Sequence, residues 1–202
     1  MDIFKHTTAK YSWLATGILS MFFSFIVSPS AGAQNVAFET NALYWATTTP
    51  NIGMEIGLSP KTTFQVFYGL NPWKEGSGDH SSLRHWLLQP EFRYWFCQRF
   101  TGWFIGAHAL GGEYNAGAVK LPFGFFPSLE DHRYKGWYVG GGIAAGYQWV
   151  LSKRWNIEAS LGAGYVYTPY DKSCNCNYKL DSGHYNYLGV TKAAVSIVYL
   201  IN

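Results

Sequence analysis

The stretch LRHWLLQPEFRYWFCQRFTGWFIGAHALG, Leu83 to Gly111, decides how the rest of the chain is read. Trp86, Leu88, Phe92 and Tyr94 share one parity, and His85, Gln89, Glu91 and Arg93 share the other. After Cys97-Gln98-Arg99 the alternation resumes, with Trp103, Ile105, Ala107 and Ala109 against Gly102, Phe104, Gly106 and His108. Period two puts successive side chains on opposite faces, which is a strand. Two such runs joined by a short polar turn make a hairpin. Each run is about ten residues or longer, beyond the five or six usual in soluble sheets. One face is aromatic and aliphatic; the other carries Gly, His, Glu and Arg. That second face suits the interior of a narrow barrel, with the aromatic face turned to lipid.

Composition points the same way. Aromatic residues make up 19% of the 202-residue chain and glycines number 22, while charged residues are only 13%, about half the usual share. A membrane barrel needs aromatic girdles at both interfaces, and glycine where its interior is crowded. The formal charge of +3 is too small and too scattered for a nucleic-acid binder.

Met1 to Ala33 reads as a secretory signal. Lys5 and Lys10 supply its positive region, and Tyr11 to Val27 is an apolar run. Ser28-Pro29-Ser30-Ala31-Gly32-Ala33 ends it with small residues in A-x-A spacing. The remaining chain, 34–202, contains no apolar run near the ~20 residues of a spanning helix and divides into eight alternating segments.

The first is expected over Val36 to Thr47, with Glu39 and Asn41 inward. The second covers Ile52 to Leu58 with Glu55 inward, and the third sets Phe64, Val66, Tyr68 and Leu70 outward against Gln65, Phe67 and Gly69. The opening hairpin supplies the fourth and fifth. The sixth carries Trp137 to Trp149, and the seventh runs from Trp155 to Tyr167 with Glu158 and Ser160 inward. The eighth spans Tyr187 to Ile201 with Lys192, Ala194 and Ser196 inward. Ser59-Pro60-Lys61, Cys97-Gln98-Arg99 and Ser152-Lys153-Arg154 are short, basic turns. Asn71–Ser82, Gly112–Gly136 and Pro169–Tyr185 are long connections. Short turns face the periplasm and long ones the exterior in outer-membrane barrels, which places both termini in the periplasm. The short first connection, Thr48 to Asn51, is the exception. Pro90 removes a ladder hydrogen bond, so a local bulge is expected there.

NALYWATTTPNIG (Asn41 to Gly53), HWLLQPEFRYWF (His85 to Phe96), HALGGEYN (His108 to Asn115), KLPFGFFPSLEDHRYKGW (Lys120 to Trp137) and GYQWVLSKRWNIEASLGAGY (Gly146 to Tyr165) carry a resemblance. Together they resemble an uncharacterised, domain-of-unknown-function family of Bacteroidetes outer-membrane proteins. The resemblance implies an eight-stranded outer-membrane β-barrel, in a family often encoded near fimbrial or adhesin genes, and it transfers no catalytic residue.

By parity, Glu39, Glu55, Glu91, Arg93, Glu158 and Lys192 face the lumen, with His85 and His108 beside them. Buried charges must pair, and an eight-stranded barrel is filled by its own side chains. These residues are therefore expected to form a structural charge network and not a pore or catalytic centre. A lipid or peptide hydrolase is the competing class. It would need Ser, His and an acid within reach of one another, and His108 and Ser160 fall toward opposite ends of their strands. Cys174-Asn175-Cys176, with Asp181 and His184 nearby, could bind a metal, but a full site wants four ligands; neither a metal nor another cofactor is expected. The fifth connection is exposed by topology yet apolar. Its Phe123, Phe125 and Phe126, followed by Asp131, His132 and Arg133, form either a lid over the mouth covering Phe104 or Tyr138, or a contact surface for a protein or glycan. The expectation is an all-β, eight-stranded, up-and-down barrel, monomeric in outer-membrane lipid of a Gram-negative bacterium. It acts through its surface loops and binds no nucleic acid.

Because Ala31 and Ala33 are the only well-placed small pair after the apolar run, N-terminal sequencing of the outer-membrane fraction should begin at Gln34. A retained Met1 would overturn the signal.

Overall fold

The computed structural model describes residues 36–72, 82–117, 132–174 and 179–201. The leader expected over Met1 to Ala33 lies outside them, as do Phe123, Phe125, Phe126 and Asp131. Eight antiparallel strands follow one another round a closed barrel, each paired to its neighbours in sequence and β8 paired back to β1. They are β1 (Val36–Asn41), β2 (Asn51–Ser59), β3 (Thr62–Asn71), β4 (Ser82–Trp95), β5 (Gly102–Gly117), β6 (His132–Val150), β7 (Trp155–Cys174) and β8 (Lys179–Ile201). One short helix, α1 (Ala42–Ala46), follows β1. No helix among the described residues is long and apolar enough to cross a membrane.

The inward–outward alternation of the opening hairpin holds. Pro90 pairs with Val66 of β3 in unbroken register, and the ladder to β5 skips Gln89 and Pro90, then resumes at Glu91↔His108 in the register it had at Leu88↔Gly111. The missing N–H thus costs a rung without adding a residue, so the expected bulge is absent and inward assignments before Pro90 stand. Irregularities fall elsewhere. Between Gly162↔Lys192 and Ala163↔Val190 the chain of β8 carries one extra residue, Thr191, which reverses the parity of the strand beyond it.

Other expected boundaries move. β1 stops at Asn41, not at Thr47, because the Asn41 side chain accepts a hydrogen bond from the Leu43 backbone N–H and caps α1. The connection that looked too short therefore runs over 42–50 and contains a helix. Leu43 and Trp45 are exposed on it, while the Tyr44 ring meets Phe67 edge-on at 5.4 Å. Above Asn41, β8 has no strand partner on its β1 side among the described residues. The Asn41 amide fills one more rung, accepting from Val195 N–H and donating to the Ala193 carbonyl. The fifth and seventh connections shrink, because β5 continues to Gly117, β6 begins at His132, and β7 and β8 pair out to Ser173↔Lys179.

The outer wall is apolar and banded. Near the short turns, Trp103 stacks edge-on to Tyr147 at 5.1 Å, and Trp155 lies 4.8 Å from Tyr199. Ile105, Ile143, Leu161, Val195 and Ile197 form an exposed aliphatic zone above them, and Trp137 with Tyr167 closes it. Trp137 pairs with Glu113, so the two aromatic levels are separated by the ten residues from Trp103 to Glu113. That is ~33 Å along the strand, or ~25 Å along the barrel axis at the usual tilt.

The interior is stacked in three layers. At the short-turn end Ala37, Trp95, Phe100, Phe104, Val198 and Leu200 form an apolar floor. Phe67, Leu87, Leu110 and Val166, with Tyr44 and Tyr138 against them, form an apolar layer toward the other end. Phe104, one of the two residues a lid would cover, lies in the floor; only Tyr138 is at the loop side. Between the layers the lumen is polar and charged.

Trp95 is fully buried and its indole N–H donates to Thr63 Oγ1 at 2.9 Å, whereas Trp103 is 61% exposed. Trp95→Ala should therefore cost about 3–5 kcal/mol and Trp103→Ala clearly less, measured as denaturant midpoints. Equal losses would mean the floor is not packed.

Candidate functional site: the charged layer of the lumen

Arg93 stands at the centre of this layer, with no exposed surface. A guanidinium carries five N–H donors and no acceptor, and here every donor is used. Nε donates to Glu91 Oε1 at 3.0 Å. Nη1 donates to Glu55 Oε2 at 2.9 Å and Glu158 Oε2 at 3.0 Å. Nη2 donates to Gln65 Oε1 at 2.6 Å and Glu158 Oε1 at 3.1 Å. Glu158 thus receives the fork in the bidentate form that matches guanidinium geometry. The Cζ atom sits 4.5 Å from the centre of the Phe104 ring, so the cation also rests on the floor. Lys192 Nζ donates to the second oxygen of Glu91.

Strand parity explains how these residues meet. Glu55 and Gln65 are cross-strand partners on β2 and β3; Gln65 in turn pairs with Glu91, two residues before Arg93 on β4. Glu158 arrives from β7 and Lys192 from β8, on the far wall. The long arginine spans the lumen between them. Missing side chains make the room: a Cβ on Gly106 would lie 2.5 Å from Glu91 Oε1, and one on Gly53 would lie 2.5 Å from Glu39 Cγ. Glycine at these two positions is a packing requirement set by the carboxylates opposite.

Six of the eight residues expected in the lumen network lie in this layer: Glu39, Glu55, Glu91, Arg93, Glu158 and Lys192. His108 is buried beside it as the register partner of Glu91, and its Nε2 lies 2.8 Å from Thr191 Oγ1 at the bulge of β8. His85 is misplaced by the sequence reading. It is half-buried, pairs with Asn71 and Tyr114, and lines a cleft with Trp86, Lys135 and Asp171 at the loop end. Glu91 lies six positions further along β4, ~20 Å of strand.

Gln65, Thr63 and Thr191 belong to the layer and were not singled out beforehand. Gln65 and Thr63 could have been, since they share inward parity with Phe67. Thr191 could not, because only the bulge turns it toward His108. Ser160 Oγ has no hydrogen-bond partner and His108 pairs with Thr191, so no Ser–His pair forms from these two. Cys97 is free and exposed in the turn after β4; Cys176 lies outside the described residues. Among the expected loop contacts, His132 and Arg133 open β6, with Arg133 paired to Gly117, and so belong to a strand and not to the loop. Phe123, Phe125, Phe126 and Asp131 lie outside the described residues.

Fold and lumen together define a small closed β-barrel whose interior is filled by its own side chains. The chain belongs to the family described as protein of unknown function (DUF3575), whose model matches residues 19–201. Among curated proteins none matches it.

Glu91→Ala would leave Arg93 Nε and Lys192 without their shared carboxylate, and should destabilise the barrel by about 3 kcal/mol or more. Phe92→Leu, next in sequence but outward, should cost less than about 1 kcal/mol. Small and equal losses in unfolding experiments would show that the layer is hydrated and weakly coupled.

Proposed function

We propose that the chain is an integral outer-membrane β-barrel of a Gram-negative cell that conducts nothing and acts through what it presents at its loop end, as a surface-interaction or envelope-structural protein. One observation carries this reading: an apolar outer wall of ~25 Å between two aromatic levels, the height of a bilayer's apolar band, encloses a lumen blocked at three successive levels. The wall suits lipid and the filled interior leaves the ends of the strands as the place of contact. Strands β6, β7 and β8 are 19, 20 and 23 residues long, whereas a tilted strand crosses a bilayer in ~9–11. One side of the barrel therefore stands well beyond the apolar band and supports the fifth connection. The Bacteroidetes source and the fimbrial or adhesin association implied by the resemblance belong with this reading.

The enzyme alternative has a specific counterpart in His108 and His85, the histidines nearest the lumen and its mouth. Two variants separate the readings, each first checked for heat-modifiable migration on a gel. Changing Phe123, Phe125 and Phe126 together to Ser should abolish recovery of surface partners, because aromatic anchors dominate contact energies. Changing His85 and His108 to Ala should leave it intact. Loss in the histidine variant alone would favour an enzyme; loss in neither would make the role structural. In planar bilayers the wild-type protein should give no steady conductance.

A further inference from the structure

The charged layer is not balanced. It contains four carboxylates, Glu39, Glu55, Glu91 and Glu158, against two fixed cations, Arg93 and Lys192. Arg93 and Lys192 are consumed by Glu55, Glu91 and Glu158. Glu39 is left over. It is 6% exposed and its Oε2 is buried without a hydrogen-bond partner. Burying an ionised carboxylate without a counter-charge costs several kcal/mol, so something must answer it.

Two further features say what fits. Carboxylate oxygens of Glu39, Glu55 and Glu158 all lie within 4.8 Å of one another. Oxygens bound to one Ca²⁺ at its usual ~2.3–2.6 Å are separated by up to ~5 Å, so one ion can reach all three. Glu39 also borders a cavity of about 240 Å³ lined by Asn41, Tyr44, Gln65, Gln89 and Lys192, in which the Gln65 and Gln89 amide nitrogens are buried and unpartnered. This space is large enough for several waters, and Ca²⁺ completes its six to eight ligands with water when protein oxygens are few. The cavity lies against residues 190–194 of β8, beside α1, where β8 lacks a strand partner among the described residues.

We infer that the lumen holds one oxygen-seeking divalent cation, of which Ca²⁺ is the type, between Glu39, Glu55 and Glu158, with its remaining ligands drawn from water in the adjoining cavity. One such ion brings the layer of four carboxylates and two cations to neutrality. Nitrogen- or sulfur-preferring metals find only carboxylates here.

The test uses the purified protein in an uncharged detergent, stripped with a chelator, so that no lipid phosphate contributes. Calcium chloride alone is added, and calorimetric titration and thermal melting are followed. Expected is about one ion per barrel with a Kd of ~10⁻⁴–10⁻³ M, the range of extracellular calcium modules, and a rise in melting temperature reversed by the chelator. Glu39→Gln should abolish both signals. Glu113→Gln, on the outer wall, should keep them. Should Glu39→Gln fail the heat-modifiability check for folding, Glu39→Asp replaces it and should weaken binding at least tenfold. Absence of heat and shift in the wild type up to about 10 mM calcium overturns the inference, as does an equal response in the Glu39 variant.

Discussion

A single buried guanidinium holds the inside of this barrel to its walls. Arg93 alone ties β4 to β2, β3 and β7 through acceptors on each, and Lys192 adds β8 through Glu91. The energetic logic is asymmetric. Forming such a cluster gains little over a well-packed apolar core, because each charge must first leave water. Losing one member is expensive, because the others stay buried. The cluster therefore acts less as glue than as a constraint on register: a one-residue slip of any contributing strand would turn its charge toward the outer wall.

The apolar layers on either side follow from the same constraint. A charge cluster open to bulk water would be screened and loose. Trp95, Phe100 and Phe104 below, and Phe67, Leu87, Leu110 and Val166 above, shield it from bulk water and make its geometry count. Phe104 has a double part, filling the floor and offering its ring face to Arg93. The polar residues that remain unpartnered, among them both amide atoms of Gln148 and the Nδ1 of His108, mark where the packing of charge is incomplete.

The strands and the inward charges could be read from alternation alone, since a period of two sorts residues to faces without knowledge of partners. Glu55, Glu91, Arg93 and Glu158 were placed correctly for that reason. What alternation cannot show is where it stops meaning strand. Ala42 and Tyr44 continue the pattern of β1, yet the side chain of Asn41 captures the backbone N–H of Leu43 and starts a helix. Long polar stretches such as Pro169 to Tyr185 looked like loops because their residue types favour turns, but cross-strand pairing carries β7 and β8 through most of them. His85 has the right parity and the wrong height: position along the barrel axis depends on strand stagger, which no single strand encodes. Thr191 was hidden by a bulge.

The shortness of β1 bears on how the barrel comes into being. Its six residues make the seam between the two ends of the chain, Val36–Asn41 against Ser196–Ile201, while β7 and β8 pair along almost their whole length. The seam is thus a ladder of only six pairs and also the contact of greatest sequence separation, with the largest entropic cost of closure. Hairpins between successive strands, β1–β2 among them, can zip locally, but the cylinder shuts only when β1 meets β8, which brings Glu39 to the cavity that Lys192 also lines. Closure of the cylinder and completion of the charged layer are thus the same geometric step, and a chain short of it would be an open, curved sheet with its arginine still wet.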